Sequence, residues 1–456
     1  MQKTGGMTRD LTSGNVVKQL LEFALPLFVS NALQAVYNLV DMVVVGNCIG
    51  RPGMSAVSIG GDILHFLTFL AMGFSSAGQV IIAQQVGARE NEKLRHTIGT
   101  LFTILLGASL VISGICFAFK YNILSWLKTP AGLVHTYTMD YTVTCIFGLF
   151  FIYGYNVVSA ILRGMGDSRR PFVFIAAAAV INIILDILFV KYFDMKVFGA
   201  ALATVIGQGV SFIASIVYLY IKRDKFGFDF KPASFVPEKE ASRRLVFLGI
   251  PMSIQSAAVN FSKIVLTAWI NNQEIITGIA YSALGGVYNK VNMMAGIVSN
   301  SFTTAGSSMI GQNIGAKKYE RVPVILKSVL MFGMIMAVTV SAALVAFPDT
   351  IFGIFTDDTE VTAHTGILIL PIIINMFGAA TRVMAFSIIN GSGNTRLNLA
   401  VALVDGLISR IGIAYLLGVV FTLGCKGYWL GDALAGFVPF VIGMTYFLTG
   451  KWRRRE

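Results

Sequence analysis

The chain has 456 residues, of which 55% are hydrophobic and only 13% charged, with a formal net charge of +12. Its mean hydropathy is +0.73. A soluble domain carries roughly 25% charged residues, so this composition excludes an ordinary soluble enzyme or binding module. The four cysteines have no C-x-x-C spacing and the four histidines are scattered, a pattern that predicts neither a zinc site nor a disulfide framework.

Twelve apolar runs follow one another along the chain, each of about 20 residues or more and therefore long enough to cross a bilayer as a helix. The polar residues 1–18 and the length of the first run argue against a cleavable signal peptide. We therefore predict an all-α polytopic membrane protein. The predicted spans are 17–46, 54–82, 97–119, 134–161, 171–191, 197–221, 245–270, 277–310, 324–347, 361–388, 398–420 and 427–449.

The basic residues are distributed unevenly between these runs. Of the 35 Lys and Arg, 25 lie at the chain ends or in the even-numbered loops, 6 in the odd-numbered loops and 4 inside apolar runs. This asymmetry is the positive-inside pattern, and it predicts a plasma membrane protein with both termini in the cytoplasm. A nucleic-acid groove needs basic and aromatic residues on one folded face, and no such pattern is visible, so we expect no nucleic-acid partner.

Three short segments occur twice at a nearly constant separation. Gln84–Arg89 (QQVGAR) returns as Gln312–Lys317 (QNIGAK), 228 residues later. The offset is 227 residues for RGMGDSR and NGSGNTR, and 225 residues for the Leu-Pro and Ile-Pro pairs that end at Pro26 and Pro251. Such a repeat indicates an internal duplication, and duplicated halves in a membrane protein are typical of transporters.

The repeat predicts two lobes of six helices each, related by a pseudo-two-fold axis along the membrane normal. The predicted bounds are 1–221 for the first lobe, 222–244 for a charged cytoplasmic linker and 245–456 for the second lobe. Two such lobes would face each other across a central cleft that opens to either side in turn, which is alternating access.

Two acidic residues lie inside the spans of the first lobe, where an ionisable side chain costs roughly 2.5–3.5 kcal/mol to insert and is usually functional. Asp41 lies in the first span and Asp186 in the fifth, where Asn182 precedes it by one helical turn. Ala200 and Thr204 have the same four-residue spacing in the sixth span. Carboxylate, amide, hydroxyl and carbonyl oxygens suit a hard cation, and two neighbouring carboxylates also hold a proton.

With AQQVGA and GQNIGA after spans two and eight, and RGMGDSRRP and NGSGNTR after spans four and ten, the whole chain resembles the MATE (multidrug and toxic compound extrusion) transporters. The resemblance implies export of bulky, amphipathic and often cationic compounds, driven by an inward gradient of Na⁺ or H⁺. It also implies that Asp41, Asn182, Asp186 and Thr204 supply side-chain ligands and Ala200 a backbone carbonyl to the coupling cation.

Four further residues form a second tier of candidates, for contact with the substrate or for conformational change, and Gln34 among them could face the cavity of the first lobe. Pro26 can bend the first helix, and bending of this helix is linked to ion or proton binding in the resembled family. Gln34 lies two turns before Asp41, and Asn156 lies in the fourth span; a polar residue satisfied within the bundle is an equally good interpretation of Gln34. Gln255 stands where NorM-like members carry a seventh-span Glu, and the tenth span contains no acid. The chain is therefore closer to the DinF-like branch.

The second lobe carries its own charges inside apolar runs: Lys263, Lys290, Arg382, Asp405 and Arg410. We expect Lys263 or Arg410 to pair with Asp405 as a structural ion pair. If Asp405 instead faced the cleft, its carboxylate would attract a cationic drug.

These observations predict a monomeric secondary antiporter, with no cofactor and no enzymatic activity, that exchanges organic cations or drugs for Na⁺ or H⁺. A lipid or lipid-linked oligosaccharide flippase of related architecture is the nearest alternative, and Lys263 and Arg410 leave it open. An intramembrane enzyme would need a nucleophile with a base or a metal cluster, which is not visible. A passive channel is disfavoured by the duplicated lobes.

Overall fold

The computed structural model describes residues 9–356 and 358–453, and this part of the chain is built from helices and their connections. We number the twelve long helices α1 to α12. Their bounds are Val16–Ile49, Arg51–Ala88, Asn91–Ala118, Leu133–Gly164, Arg169–Tyr192, Lys196–Ile221, Lys239–Thr277, Tyr281–Gly315, Arg321–Ala346, Gly366–Ser392, Thr395–Val420 and Gly424–Leu448. Short helical segments occur at Lys120–Trp126, Arg223–Phe226, Pro348–Gly353 and Thr359–His364.

Eleven of the twelve long helices are long and apolar enough to cross a membrane. The other is α8, which has 35 residues but is rich in Gly, Ser and Asn. Small residues of this kind let neighbouring helices approach closely, and they lower the hydropathy of a helix without shortening it. The prediction of an all-α protein with helices at all twelve positions is confirmed.

The helices form two compact units. The first contains Leu25–Ser253 with Arg9 and Asp10 beside it, and the second contains Leu11–Ala24 and the chain from Ile254 onwards. The linker predicted at 222–244 lies within the first unit. Helices α1 and α7 each contribute to both units, and each changes unit within three residues of its internal proline, Pro26 or Pro251.

Each unit has its own apolar core. In the first unit, α2, α3 and α4 pack around side chains such as Phe102, Leu149 and Tyr153. In the second unit, α8, α10 and α12 pack around side chains such as Ile372 and Trp429. Burial of apolar area in its own core stabilises each unit and positions the buried polar side chains around that core.

The repeated QxxGA segments form the same turn in both units. Helix α2 ends at Ala88 and α8 at Gly315, and each is followed within two residues by a basic residue in the left-handed region, Arg89 at φ 59° and Lys317 at φ 57°. In the first unit the Glu90 N–H donates to the Gln85 carbonyl over 3.0 Å, and the equivalent bond in the second unit spans 2.9 Å. The sequence repeat therefore encodes a repeated helix stop.

Glutamines of these repeats also bind distant parts of the chain, which are the segment before α1 in the second unit and the beginning of α7 in the first unit. In the second unit, Gln312 Oε1 accepts from the Leu11 N–H over 3.1 Å, and Asn313 Nδ2 donates to the Leu11 carbonyl over 3.1 Å. In the first unit, Gln84 Oε1 accepts from Arg244 Nη2 over 3.3 Å. We predicted only a turn here, and the anchoring of a distant segment was not apparent from the sequence.

The linker is fixed to the first unit by polar contacts. Arg95 Nη2 lies 2.8 Å from Asp229 Oδ2, and the Glu238 N–H donates to Thr100 Oγ1 over 3.1 Å. The hydroxyl of Ser234 donates to Asp229, and this bond holds the pKa of the Asp229 carboxyl below its usual range. The linker is thus an ordered part of the first unit along these contacts.

Candidate functional site

The five residues predicted to bind the coupling cation come together inside the first unit. Asp41 lies on α1, Asn182 and Asp186 on α5, and Ala200 and Thr204 on α6. Asp41 is 6% exposed, Asn182 3% and Asp186 0%, so the polar cluster is sealed within the helix bundle. The four-residue spacings place both α5 residues on one helix face and both α6 residues on another.

Asn182 connects the three helices. In the amide orientation that satisfies both of its polar atoms, Nδ2 donates to Asp41 Oδ1 over 3.1 Å and Oδ1 accepts from the Thr204 N–H over 3.3 Å. The Thr204 hydroxyl in turn donates to the Ala200 carbonyl over 3.1 Å. A single amide thereby fixes the distance between the α1 carboxylate and the α6 backbone.

The two carboxyl groups face each other without a basic partner. Asp41 and Asp186 lie close enough to share a hydrogen bond, and no Lys or Arg in the described part of the chain interacts with either. Asp186 Oδ1 is buried and has no hydrogen-bond partner there. Because an acceptor in a dry interior is costly to leave unpaired, this oxygen is suited to a proton or a metal cation.

A cavity of about 10 Å³ adjoins this cluster and is lined by Tyr37, Asn182, Thr204, Gly207 and Gln208. That volume corresponds to about one water-sized probe. Gly207 keeps α5 and α6 close, because a Cβ there would lie 3.1 Å from the Ala178 carbonyl oxygen and 3.3 Å from Asn182 Cβ. Asn182 and Thr204 belong both to the cavity lining and to the polar cluster, so the small space lies directly beside the hydrogen-bonded side chains of the site.

Helix α5 changes winding at the site. Its α-helical part ends at Asp186 and a π-helical segment, Ile187–Tyr192, follows at once. Local π-helical turns are uncommon and occur often at functional sites. The change in winding therefore begins at the residue directly after Asp186.

The sequence analysis missed three residues of this site. Tyr37 and Gln208 line the small cavity, and Tyr141 lies within electrostatic range of Asp41 and Asp186. Tyr37 precedes Asp41 by four residues and Gln208 follows Thr204 by four. The helical spacing that connects Asn182 to Asp186 would have found the first two, whereas Tyr141 has no such signal.

The second-tier residues lie on three helices, α1, α4 and α7. Pro26 is half-buried inside α1, where its carbonyl accepts from Ser30 Oγ over 2.7 Å, and Gln34 is half-buried further along the same helix. Asn156 Nδ2 donates to the Ile152 carbonyl of its own helix over 2.8 Å. Gln255 belongs to the second unit, and its Nε2 is buried without a hydrogen-bond partner among the described residues.

The second unit contains a separate buried ion cluster. Arg410 Nη2 lies 3.5 Å from Asp405 Oδ1, and Arg410 Nη1 pairs with Asp432 Oδ1. The Tyr288 hydroxyl donates to Asp432 Oδ2 over 3.1 Å. An ion pair between Arg410 and Asp405 was among the expectations from the sequence, but Asp432 was missed although an acid inside the twelfth span was a visible signal.

Asp405 is placed for structure rather than for attracting a drug. It is 1% exposed, compared with 2% for Arg410 and 5% for Asp432. It lies in a π-helical segment of α11, Val404–Ser409, which immediately precedes Arg410. The burial of Asp405 against a guanidinium neutralises the carboxylate and removes it from any open surface.

Comparison with known proteins agrees with this architecture. The MatE family model matches residues 26–188 and 251–416, one stretch in each half. "Probable multidrug resistance protein YpnP" of Bacillus subtilis is 31% identical over 316 residues, which is 69% of this chain and 68% of that protein. "Probable multidrug resistance protein YoeA" of the same organism is 27% identical over 99% of this chain and 97% of its own length.

A solved structure described as an outward-facing conformation of a multidrug resistance MATE family transporter has a TM-score of 0.89, with 21% identity and 98% of each chain covered. At that identity the likeness shows the fold. The two-part family match and the 31% identity to YpnP over more than two thirds of the chain show more: this chain belongs to the MATE family and is a multi-pass membrane transporter rather than an enzyme.

Proposed function

We propose that the chain is a secondary active antiporter that exports amphipathic, mainly cationic organic compounds in exchange for an inward-moving cation. The observation that carries the proposal is the buried Asp41–Asp186 pair, which has no basic partner among the described residues and leaves one Asp186 oxygen free. Such a pair is completed by a proton or by a small metal cation, and either would neutralise the repulsion between the two carboxylates.

Coupling then follows from differential binding. The coupling cation, Na⁺ or H⁺, draws α1, α5 and α6 together through Asp41, Asn182, Asp186, Ala200 and Thr204. An organic cation favours the state in which the carboxylates are ionised and uncompensated. Because the two ligands favour different states of the same unit, the binding of one weakens the binding of the other, and alternating access converts this into exchange.

The setting of the protein is part of the same proposal. We place it in the plasma membrane with both termini in the cytoplasm, acting as a monomer, with lobes at 1–221 and 245–456 and a cytoplasmic linker at 222–244. Its nearest branch is the DinF-like one, since Gln255 replaces an acid and α10 lacks one.

The test is efflux of ethidium from phosphatidylcholine liposomes that contain the purified protein, with an inward Na⁺ gradient and an inward proton gradient imposed separately. We expect one gradient to drive efflux, and both Asp41→Asn and Asp186→Asn to reduce it to the level of empty liposomes. Asp140→Asn removes an exposed carboxylate of the same unit and serves as the matched control. Wild-type efflux by both site variants would refute the site assignment.

A lipid or lipid-linked oligosaccharide flippase is the second candidate, favoured by the basic residues Lys263, Arg382 and Arg410 of the second unit. Ethidium efflux that fails under both gradients, together with movement of a fluorescent lipid between leaflets, would favour it over drug export.

A further inference from the structure

A cavity of the second unit lies beside its ion cluster. It has a volume of about 210 Å³ and is bounded by α7, α8 and α12. Its polar lining comes from Lys263 and Asn271 on α7, Asn289 and Tyr288 on α8, and Asp432 on α12, with Trp429 as an aromatic wall. The cation-coupling residues of the first unit contribute nothing to it, so it needs a separate explanation.

The buried charges around this cavity do not balance. Three basic side chains, those of Lys263, Arg382 and Arg410, interact electrostatically with two acids, Asp405 and Asp432. Arg410 contacts both acids, and Asp432 also accepts from the Tyr288 hydroxyl. Asp432 lines the cavity, but both of its carboxylate oxygens are already engaged, one by Arg410 and the other by Tyr288. Since Arg410 also pairs with Asp405, the cluster carries one surplus positive charge.

The surplus charge is presented to the cavity by Lys263. This side chain lines the cavity and is exposed, and within the described residues its ammonium group takes part in no ion pair. Arg382 is mostly buried, and its Nε and Nη2 have no hydrogen-bond partner there. A Lys inside a membrane span is costly unless it is paired or serves a function. A surplus ammonium group in a semi-enclosed cavity attracts an anion and repels an organic cation.

We infer that this cavity of the second unit binds the anionic group of a transported amphiphile, a carboxylate, phosphate or sulfonate, with Lys263 as its counter-charge. The inference rests on the proposed transport function and extends its substrates to zwitterionic compounds. Lys263 contributes an ammonium donor, and the side-chain amides of Asn271 and Asn289 contribute neutral donors suited to an oxyanion.

The size of the cavity agrees with an occupant of this kind. Pockets that take up a whole drug-sized ligand measure roughly 300–1,000 Å³, so about 210 Å³ suits one charged end of a larger molecule. The Trp429 wall would pack against the aromatic or aliphatic part next to the anionic group. The same anionic chemistry is present in the headgroup of an acidic phospholipid, so the experiment has to separate the two sources.

The experiment compares two dyes that differ in one group. Rhodamine B carries a cationic ring system and a free carboxylate, whereas its ethyl ester carries the cation alone. Binding of each dye to purified protein in phosphatidylcholine nanodiscs is measured by fluorescence anisotropy. We expect Lys263→Met to weaken rhodamine B binding by about tenfold and to leave binding of the ester unchanged within about twofold.

Two control variants make the comparison specific. Lys290→Met removes another lysine of the same unit that lies outside the cavity lining, and it should leave both dyes unchanged. Lys263→Arg keeps the positive charge and should retain at least part of the preference for rhodamine B over its ester. Equal loss of both dyes in Lys263→Met, or no loss of either, would overturn the inference.

Nanodiscs with added phosphatidylglycerol identify the source of the anion. If rhodamine B binding is unaffected by the acidic lipid, the site serves the transported compound. If the lipid weakens it in the wild type but not in Lys263→Met, the anion site stands and a lipid headgroup occupies it. This is a binding measurement without a gradient, so it can be interpreted even if ethidium efflux fails. If efflux is intact but Lys263→Met affects rhodamine B and its ester equally, the anion site is rejected and the proposed transport function stands.

Discussion

Equivalent helices of the two units lie in buried clusters of opposite charge, a pair of carboxyl groups in the first unit and a mainly basic cluster in the second. In the first unit α5 changes to π-helical winding directly after Asp186, and in the second unit α11 does so over Val404–Ser409, directly before Arg410. Around the first π-helical segment lie two carboxyl groups. Around the second lie three basic side chains and two acids, joined through Arg410.

This difference separates two tasks that a coupled transporter must perform. A carboxyl pair with no basic partner among the described residues lacks a counter-charge, and under the proposed function a mobile cation supplies it. In the second cluster Arg410 already pairs with both acids, and these ion pairs stabilise the packing of the helices whether or not a ligand is present. The two halves thus share a π-helical segment at equivalent positions, although the side chains around it differ.

The largest expected effect comes from removing the central cation of the second unit. Arg410→Met leaves Asp405 and Asp432 buried without their shared partner, and breaking a buried pair in this way costs about 3–5 kcal/mol. Asp41→Asn in the first unit removes one of two like charges, so we expect no loss of stability there. Thermal unfolding of the purified proteins in detergent measures both.

Arg396→Met is the control for that measurement, because Arg396 lies on the same helix α11 but is exposed. Adding Asp432→Asn to Arg410→Met should restore part of the lost stability, since one uncompensated charge is then removed. If Arg410→Met and Asp41→Asn were equally stable, the distinction between acids that are paired with a buried arginine and a carboxyl pair without a basic partner would be wrong.

The sequence predicted the architecture and the first site more fully than the second. Twelve apolar runs and a constant repeat offset determine the helices, because span length and duplication are properties of the sequence itself. Asp41, Asn182 and Asp186 were found because acids inside spans are rare and helical spacing places residues on a shared face. Asp432 was harder to predict as the partner of Arg410, because the two residues are 22 positions apart in the chain and only the packing of α11 against α12 brings them together.

Substitutions in the repeated turns should have a smaller effect on stability, and the two turns can be compared with each other. Gln312 accepts a hydrogen bond from the backbone N–H of Leu11, a buried bond, so Gln312→Ala should leave that donor unpaired and cost about 1–2 kcal/mol. Its counterpart Gln84 accepts from the side chain of Arg244, which can turn toward water, so Gln84→Ala should cost less than about 1 kcal/mol.

Thermal unfolding compares the two variants, and limited proteolysis near residues 11–19 reports whether the segment before α1 has been released in Gln312→Ala. A larger loss for Gln84→Ala than for Gln312→Ala would mean that the two turns do not anchor their segments as the hydrogen bonds indicate.

The smallest expected effect concerns the position of Asn182 in the proposed cation site. A Cβ at Gly207 would lie 3.3 Å from Asn182 Cβ, so Gly207→Ala should displace Asn182 by a few tenths of an ångström. Asn182 joins Asp41 to the Thr204 backbone, so the displacement should weaken binding of the coupling cation about fivefold, which corresponds to about 1 kcal/mol of binding free energy. The measurement is the Na⁺ concentration or pH that gives half-maximal ethidium efflux. Gly209→Ala on the same helix meets the Phe151 ring only at an ordinary 3.7 Å and should leave that midpoint unchanged. Equal shifts in the two variants would point to a general disturbance of α6, whereas a shift confined to Gly207→Ala would tie cation affinity to the position of one amide.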